Sequence, residues 1–146
     1  NNASVLRSPK ELVTLASIIE KEASLTSERK RISAVFYNRL RSGMRLQADP
    51  TVIYALTKGE RKLGRALSRS DLRLPSSYNT YLVSGLPPGP IANPGEVSLR
   101  AAAQPANSDD LYFVSDGKGG HLFARSLDQH NINVAKWRKL KIHKNR

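Results

Sequence analysis

Leu12-Val13-Thr14-Leu15-Ala16-Ser17-Ile18-Ile19-Glu20-Lys21-Glu22 is the stretch from which the rest of the chain is read. At about 100° per residue, Leu12, Leu15, Ala16, Ile19 and the following Ala23 share one face, the pattern of an amphipathic helix packed on a core. Upstream, Ser8 is placed as the N-cap and Pro9 suits the first helical position. Glu11, three residues after Ser8, completes a capping box. By the same arithmetic Glu20 and Glu22 fall on opposite edges of the apolar stripe, roughly 160° apart, so they do not form a close carboxylate pair. Glu22 neighbours Leu15, Ile18 and Ile19, while Glu20 neighbours Val13, Ala16 and Ser17. A carboxyl held against hydrocarbon keeps its proton toward neutral pH and can serve as a general acid. The greasier surroundings favour Glu22. Spacing alone is equally compatible with an ordinary solvated helix end.

The remaining chain supplies the walls around this helix. A second helix is predicted from about Thr26 to Ser42, with Ile32, Val35, Phe36 and Leu40 inward and Gly43 as its stop. Asp49-Pro50 predicts an N-cap and first-turn proline for a short helix through Leu56. Residues 58–74 are polar and basic, a surface excursion with one helical turn near Ser68 to Leu72. Gly85-Leu86-Pro87-Pro88-Gly89-Pro90 cannot be helix or central strand and predicts an ordered loop. Helix returns at Glu96 to Ala103, and Pro105 ends it. Leu111 to Val114 and His121 to Ala124 flank a glycine-rich turn, a β-hairpin. A last helix begins at Ser126, with Gln129 completing a second capping box and Leu127, Val134, Trp137 and Leu140 as buried contacts. Its basic tail, Arg138 to Arg146, is expected to fray. The class is α+β: a helix-rich single domain with a small antiparallel β-sheet, the hairpin near 111–125.

Composition narrows the chemistry. With no cysteine there is no disulfide, thiolate metal site or cysteine nucleophile. His121, His130 and His143 show no ligand-like spacing, so neither metal nor cofactor is expected, and the histidines are structural or surface residues. Gly117-Lys118-Gly119-Gly120 lies in a hairpin and lacks the Walker pattern. No stretch approaches the ~18 apolar residues of a membrane span. No signal-peptide pattern is visible at Asn1 to Val5, a start resembling the inside of a longer chain. The 24 Lys+Arg against 12 Asp+Glu leave a net charge of +12 and favour an anionic neighbour. Nucleic-acid-binding patterns and stacking aromatics among the basic residues are missing, which leaves acidic lipid or an anionic wall polymer ahead of nucleic acid.

Beside Glu22, two groups of residues are candidates for a cleft. Asp49 is either a helix cap or, with Gln47, a polar group on a cleft wall. Tyr78, Asn79 and Tyr81 either offer aromatic and amide contacts to a sugar or pack a Tyr/Asn-rich turn.

Several blocks carry a resemblance to a known family. They are Leu15-Ala16-Ser17-Ile18-Ile19-Glu20-Lys21-Glu22, Asn38-Arg39-Leu40 and Met44-Arg45-Leu46-Gln47-Ala48-Asp49-Pro50-Thr51-Val52-Ile53-Tyr54. After them come Tyr78-Asn79-Thr80-Tyr81, the glycine-proline run from Gly85 to Gly95, and Leu111 to Phe123. In this order, over roughly Pro9 to Trp137, the chain resembles the catalytic domain of the bacterial endolytic murein transglycosylases. Ala48 stands where that family more often has serine or threonine, and Ser108-Asp109-Asp110 departs as loop variation.

The resemblance implies a lyase at the periplasmic face of the inner membrane or the cell surface, anchored by an N-terminal membrane helix. It also implies a smaller peptidoglycan-binding region ahead of this domain; neither part is present in this chain. The family's catalytic glutamate, the second of the Glu-Lys-Glu pair, maps to Glu22. It would cut the β-1,4 bond from N-acetylmuramic acid to N-acetylglucosamine in nascent peptidoglycan strands, leaving 1,6-anhydro ends and terminating strand elongation, with cell-wall synthases as the implied partners. The nucleophile belongs to the substrate, so one carboxyl suffices where hydrolases generally need two. Gln47, Asp49, Tyr78, Asn79, Tyr81, Asn93 and Ser98 are the expected sugar-holding or acid-positioning residues. A non-catalytic peptidoglycan-binding module is the alternative, and behind it a basic nucleic-acid-binding domain suggested by the charge of +12.

Overall fold

Ser8 opens the first helix as its spacing predicts: its hydroxyl accepts the Glu11 amide at 3.2 Å, and Pro9 occupies the first turn. The Glu11 carboxylate reaches back to the amide of Arg7 at 2.7 Å, one residue earlier than an ideal capping box. The computed structural model describes residues 5–144. Helix α1 (Pro9–Glu22) is followed by a 3-10 turn (Thr26–Glu28) and α2 (Arg29–Arg41). Next come α3 (Asp49–Thr57), a 3-10 turn (Asp71–Arg73) and α4 (Glu96–Ala103). The antiparallel strands β1 (Tyr112–Ser115) and β2 (His121–Ala124) lead into α5 (Leu127–Lys144). The class is α+β, as predicted.

Helix α1 is the central element. Thr14 through Ile19 are all buried, and α4 covers the helix most closely, with α2 and α3 alongside. Leu15, Ile18 and Ile19 are fully enclosed, each contributing about 1.5–3 kcal/mol relative to exposure. Buried Ala101 and Ala102 present a small-residue face that lets α4 lie close. The Tyr37 hydroxyl donates to the Ala102 carbonyl at 2.6 Å, tying α2 to the end of α4.

The hairpin pairs Phe113 with Phe123 and Tyr112 with Ala124. Alternation along β1 sends Phe113 onto Phe36 of α2, edge-on at 5.8 Å, and Tyr112 onto His130 of α5, stacked at 4.8 Å. Asp116 organises the turn by accepting the amides of Lys118 and Gly120.

Four local expectations are corrected. Asp49 is not a cap: Ala48 holds that position, without a side-chain bond, because the Asp49 carboxylate is drawn to Tyr81 instead. Leu127 and Leu140, predicted as buried, are 54% and 40% exposed, and the polar Asn133 is buried in their stead. Their spacing on α5 does not coincide with the face that β1 covers. The basic tail stays helical through Lys144, and residues 145–146 lie outside the described ones. Asp110 is more than loop variation: it is buried, pairs with Arg31 at 2.9 Å, and sits beside backbone carbonyls that accept from Asn38.

The connecting loops are fixed by buried polar bonds. Ser17 on α1 accepts the Ile91 amide at 3.0 Å, pinning the proline loop to the helix. The amide of Ala48 donates to Thr80 Oγ1 at 2.9 Å, and Thr80 and Thr51 share a hydroxyl bond of 2.8 Å. Thr51 Oγ1 then donates to the Ala48 carbonyl at 2.7 Å, closing a ring that uses each hydroxyl proton once. Thr80→Val leaves the buried Ala48 amide without an acceptor and should cost about 1–3 kcal/mol, read from the urea-unfolding midpoint. An unchanged midpoint would contradict this role for the ring.

Candidate active site

Glu22 closes α1 with its side chain partly buried. Among the described residues its carboxyl has no hydrogen bond and no ion pair. Burial, and secondarily the negative charge of Asp49, push its pKa up to about 8. At neutral pH it therefore carries its proton.

Glu20, two residues earlier, has the opposite surroundings. Its Oε1 accepts from the Gly95 amide at 2.9 Å and the Ser98 hydroxyl at 3.0 Å, and Arg29 lies 3.6 Å from Oε2. The Gly95 bond, with help from Ser98 and Arg29, lowers its pKa. Gly95 is the N-cap of α4 and has no side chain to cap with, so Glu20 supplies a carboxylate to that helix start. The two glutamates diverge as the helix arithmetic predicts, one capping α4 and the other facing Asp49.

The threonine ring brings residues 47–51 and 79–81 together. The Tyr81 hydroxyl donates to Asp49 Oδ1 at 2.5 Å. Burial, that bond, and the charges of Asp49 and Glu22 all raise the Tyr81 pKa, so the phenol stays a donor. Gln47, exposed and at φ +50°, accepts a long 3.5 Å bond from Arg39 Nη1. Arg39 is itself 7% exposed, held by the carbonyls of Leu111 at 2.7 Å and Arg45 at 2.8 Å, with its guanidinium over the Tyr112 ring.

Other expected residues sit elsewhere. Asn79 is fully buried; its amide nitrogen bonds the carbonyls of Leu72 and Leu74, and its oxygen accepts the Tyr81 amide. Ser98 is fully buried against Glu20. Tyr78 packs on Tyr54 at 4.9 Å between ring centres. Asn93 is exposed on a cleft of about 630 Å³ that is also lined by Lys21 and Pro50, the chain neighbours of Glu22 and Asp49. A larger cleft, about 890 Å³, lies at the opposite end of α1, around Ser8, Lys10 and Pro87, and Glu22 does not line it. Neither cleft is lined by Glu22 itself; the smaller one is tied to it through its chain neighbour Lys21. Among the described residues no cluster of His, Cys, Asp or Glu is arranged to hold a metal ion.

Two features of the site escape sequence reading. The first is Asp49 as a second carboxylate facing Glu22, because its placement depends on the threonine bond that joins residues 51 and 80, 29 apart in the chain. The second is Arg39. A signal for it did exist: three residues after Phe36 and four after Val35, it falls inside the inward stripe of α2, where a solvated arginine does not belong.

The chain matches the YceG-like family over residues 1–136. It is 48% identical over 120 residues to a Bacillus subtilis (strain 168) protein named endolytic murein transglycosylase, covering 82% of this chain and 32% of that protein. A Streptococcus pneumoniae (serotype 2, strain D39) protein of the same name is 39% identical over 131 residues, covering 86% of this chain and 23% of that one. The crystal structure of a yceG-like protein from Listeria monocytogenes is similar with a TM-score of 0.80 at 46% identity, over 86% of this chain and 40% of that one. The chain thus spans between 23% and 32% of the length of these named relatives. With 136 residues inside the family match and two relatives aligned over more than four-fifths of its length, the chain belongs to the YceG-like family.

Proposed function

We propose that this chain is the catalytic part of a peptidoglycan lytic transglycosylase in which Glu22 acts first as general acid and then as general base. The observation that carries the reading is the unpaired Glu22 carboxyl, protonated at neutral pH through burial and the charge of Asp49. The name shared by the relatives supplies the substrate class.

The chemistry balances without water. Protonated Glu22 gives its proton to the glycosidic oxygen, the bond from that oxygen to muramic acid C1 breaks, and N-acetylglucosamine leaves with a hydroxyl. The Glu22 carboxylate then takes the proton of the muramic acid C6 hydroxyl as that oxygen attacks C1, closing the 1,6-anhydro ring and restoring the acid. Attack from within the substrate gains from orientation already fixed on binding. Asp49 opposes the developing oxocarbenium charge, and Tyr81 fixes the orientation of Asp49. Gln47 and Asn93, both exposed, are sugar contacts, with Tyr78 beside them. Asn79 and Ser98, both fully buried, are positioning residues. The whole protein acts on peptidoglycan glycan strands in the bacterial cell envelope. Anchored at the periplasmic face of the inner membrane and working near wall synthases, it terminates strand growth.

The structure also favours a second reading, which the one-carboxyl reasoning from sequence passes over. Asp49 is near enough to raise the Glu22 pKa, so a second carboxylate stands at the site. A pair of carboxylates is what hydrolysis by an activated water requires. The products separate the two: anhydro ends for transglycosylation, reducing muramic acid ends for hydrolysis.

Glu22→Gln keeps the shape of the side chain and removes the proton. Release of anhydro-muropeptides from glycan strands, followed by mass spectrometry, should drop by about 10²–10⁴-fold. A variant as fast as wild type sinks the assignment, and reducing ends from the wild type transfer it to the Asp49-assisted hydrolysis.

The rate should fall as pH rises through about 8, where the acid is lost. Asp49→Asn removes one of the two causes of the raised pKa and should move that fall to lower pH. The same alkaline limb in both proteins would contradict the coupling.

Stability gives a third measurement. A raised carboxyl pKa means the folded state binds a proton that the unfolded chain has released between pH 4.5 and about 8. Wild-type stability should therefore decline across that window, by on the order of a few kcal/mol at most, and stay lowered above it. Glu22→Gln should lack this component, so variant minus wild type in thermal-unfolding free energy should grow with pH. A constant difference from pH 4 to pH 9 would mean that Glu22 titrates normally.

A further inference from the structure

The cleft of about 630 Å³ that Lys21, the chain neighbour of Glu22, helps to line carries the sugar contact Asn93, and the rest of its lining differs from that of a sugar subsite. Lys21, Arg61 and Lys62 stand on its walls against the single acid Glu60, and all four are exposed. The floor is apolar: Ile53 and Leu63 are partly buried and Ile91 is buried. Its one aromatic residue, Tyr54, packs on Tyr78, and a Cβ on Gly59 would stand 3.5 Å from the Tyr54 ring edge. That ring is already engaged with the Tyr78 ring, which leaves it a poor stacking platform for a pyranose. An apolar floor with cationic walls fits a short peptide bearing small apolar side chains and free carboxylates.

Position says which peptide. Lys21 and Pro50 on the cleft wall adjoin Glu22 and Asp49 in the chain. On the proposed reading, the muramic acid ring cut at C1 lies against Glu22. The acidic peptide of peptidoglycan hangs from the lactyl group on that same ring and must leave the site within a few ångströms of the carboxyl. The larger cleft cannot take it: Lys10 there is 12 residues from Glu22 along α1, about 18 Å at 1.5 Å per residue.

The geometry points to this cleft as the seat of the acidic stem peptide, with Arg61 and Lys62 pairing its carboxylates. The inference rests on the transglycosylase reading. At about 630 Å³ the cleft lies within the usual range for ligand sites, about 300–1,000 Å³. Two exposed ion pairs of this kind make a modest contribution, about fivefold in affinity between them.

The experiment compares peptide-bearing glycan strands with strands stripped of peptide by an amidase. Wild type should have the lower KM for the peptide-bearing strands. Arg61→Ala/Lys62→Ala should raise that KM about fivefold, leaving kcat and the KM for stripped strands unchanged, and added salt should narrow the gap. Equal KM values in wild type, or a double variant that raises both alike, would overturn the inference. The same contrast is read as binding by calorimetry with Glu22→Gln protein, which needs no cleavage. If neither strand is cut by wild type, the transglycosylase reading fails, while the binding contrast still decides whether the cleft takes peptide.

Discussion

The arrangement depends on keeping one carboxyl away from every cation. The chain has 24 Lys and Arg residues and a net charge of +12, and a cation within about 4–6 Å lowers a carboxyl pKa by about 1–3 units. Glu22 has no such partner among the described residues, and Asp49 is the charge that acts on it. Nearby cations are occupied elsewhere. Arg29 lies beside Glu20, and Arg39 donates to the Leu111 and Arg45 carbonyls and Gln47. The divergence of Glu20 and Glu22 is thus a division of labour. The first accepts the amide and hydroxyl bonds that start α4 and takes the arginine, leaving the second desolvated and facing Asp49.

Such a carboxyl is costly to hold, and the loops around it are tied down by buried polar bonds. The segments that frame it come from distant parts of the chain and have little regular secondary structure of their own. Buried hydroxyls and one amide do the fixing: Ser17 to the Ile91 amide, Thr51 and Thr80 with Ala48, and Asn79 across Leu72, Leu74 and Tyr81. These are short side chains with few rotamers, so little conformational entropy is lost in ordering them, and each buried polar atom finds a partner. The same bonds deliver Tyr81 to Asp49 and so give Glu22 its negative neighbour.

The second carboxylate changes what the site can do. A lone acid restricts the enzyme to a nucleophile carried by the substrate, whereas a facing carboxylate also has the means to activate water. Asp49 already accepts the Tyr81 phenol, which orients it and occupies one of its oxygens. On the proposed reading, which nucleophile reaches C1 first is a matter of how tightly the cleft excludes water around the sugar, a property of the wall rather than of the acid.

The sequence by itself determined the helices, the hairpin and the divergence of Glu20 and Glu22 across the apolar stripe. These follow from local causes: a period of 3.6 in Leu15 to Ile19, a serine-proline start at Ser8, glycines at 117 and 119 with φ of +78° and +90° in the turn. It also held an unread hint in the inward position of Arg39. Tertiary structure alone decided that Asp49 faces the acid instead of capping α3, that Asn79 and Ser98 are buried supports, and that Leu127 and Leu140 stay exposed. The physical reason is range. Capping and amphipathic periodicity act over three or four residues, whereas the pKa of Glu22 and the orientation of Tyr81 are set by groups tens of residues away, adjacent only once the chain has folded.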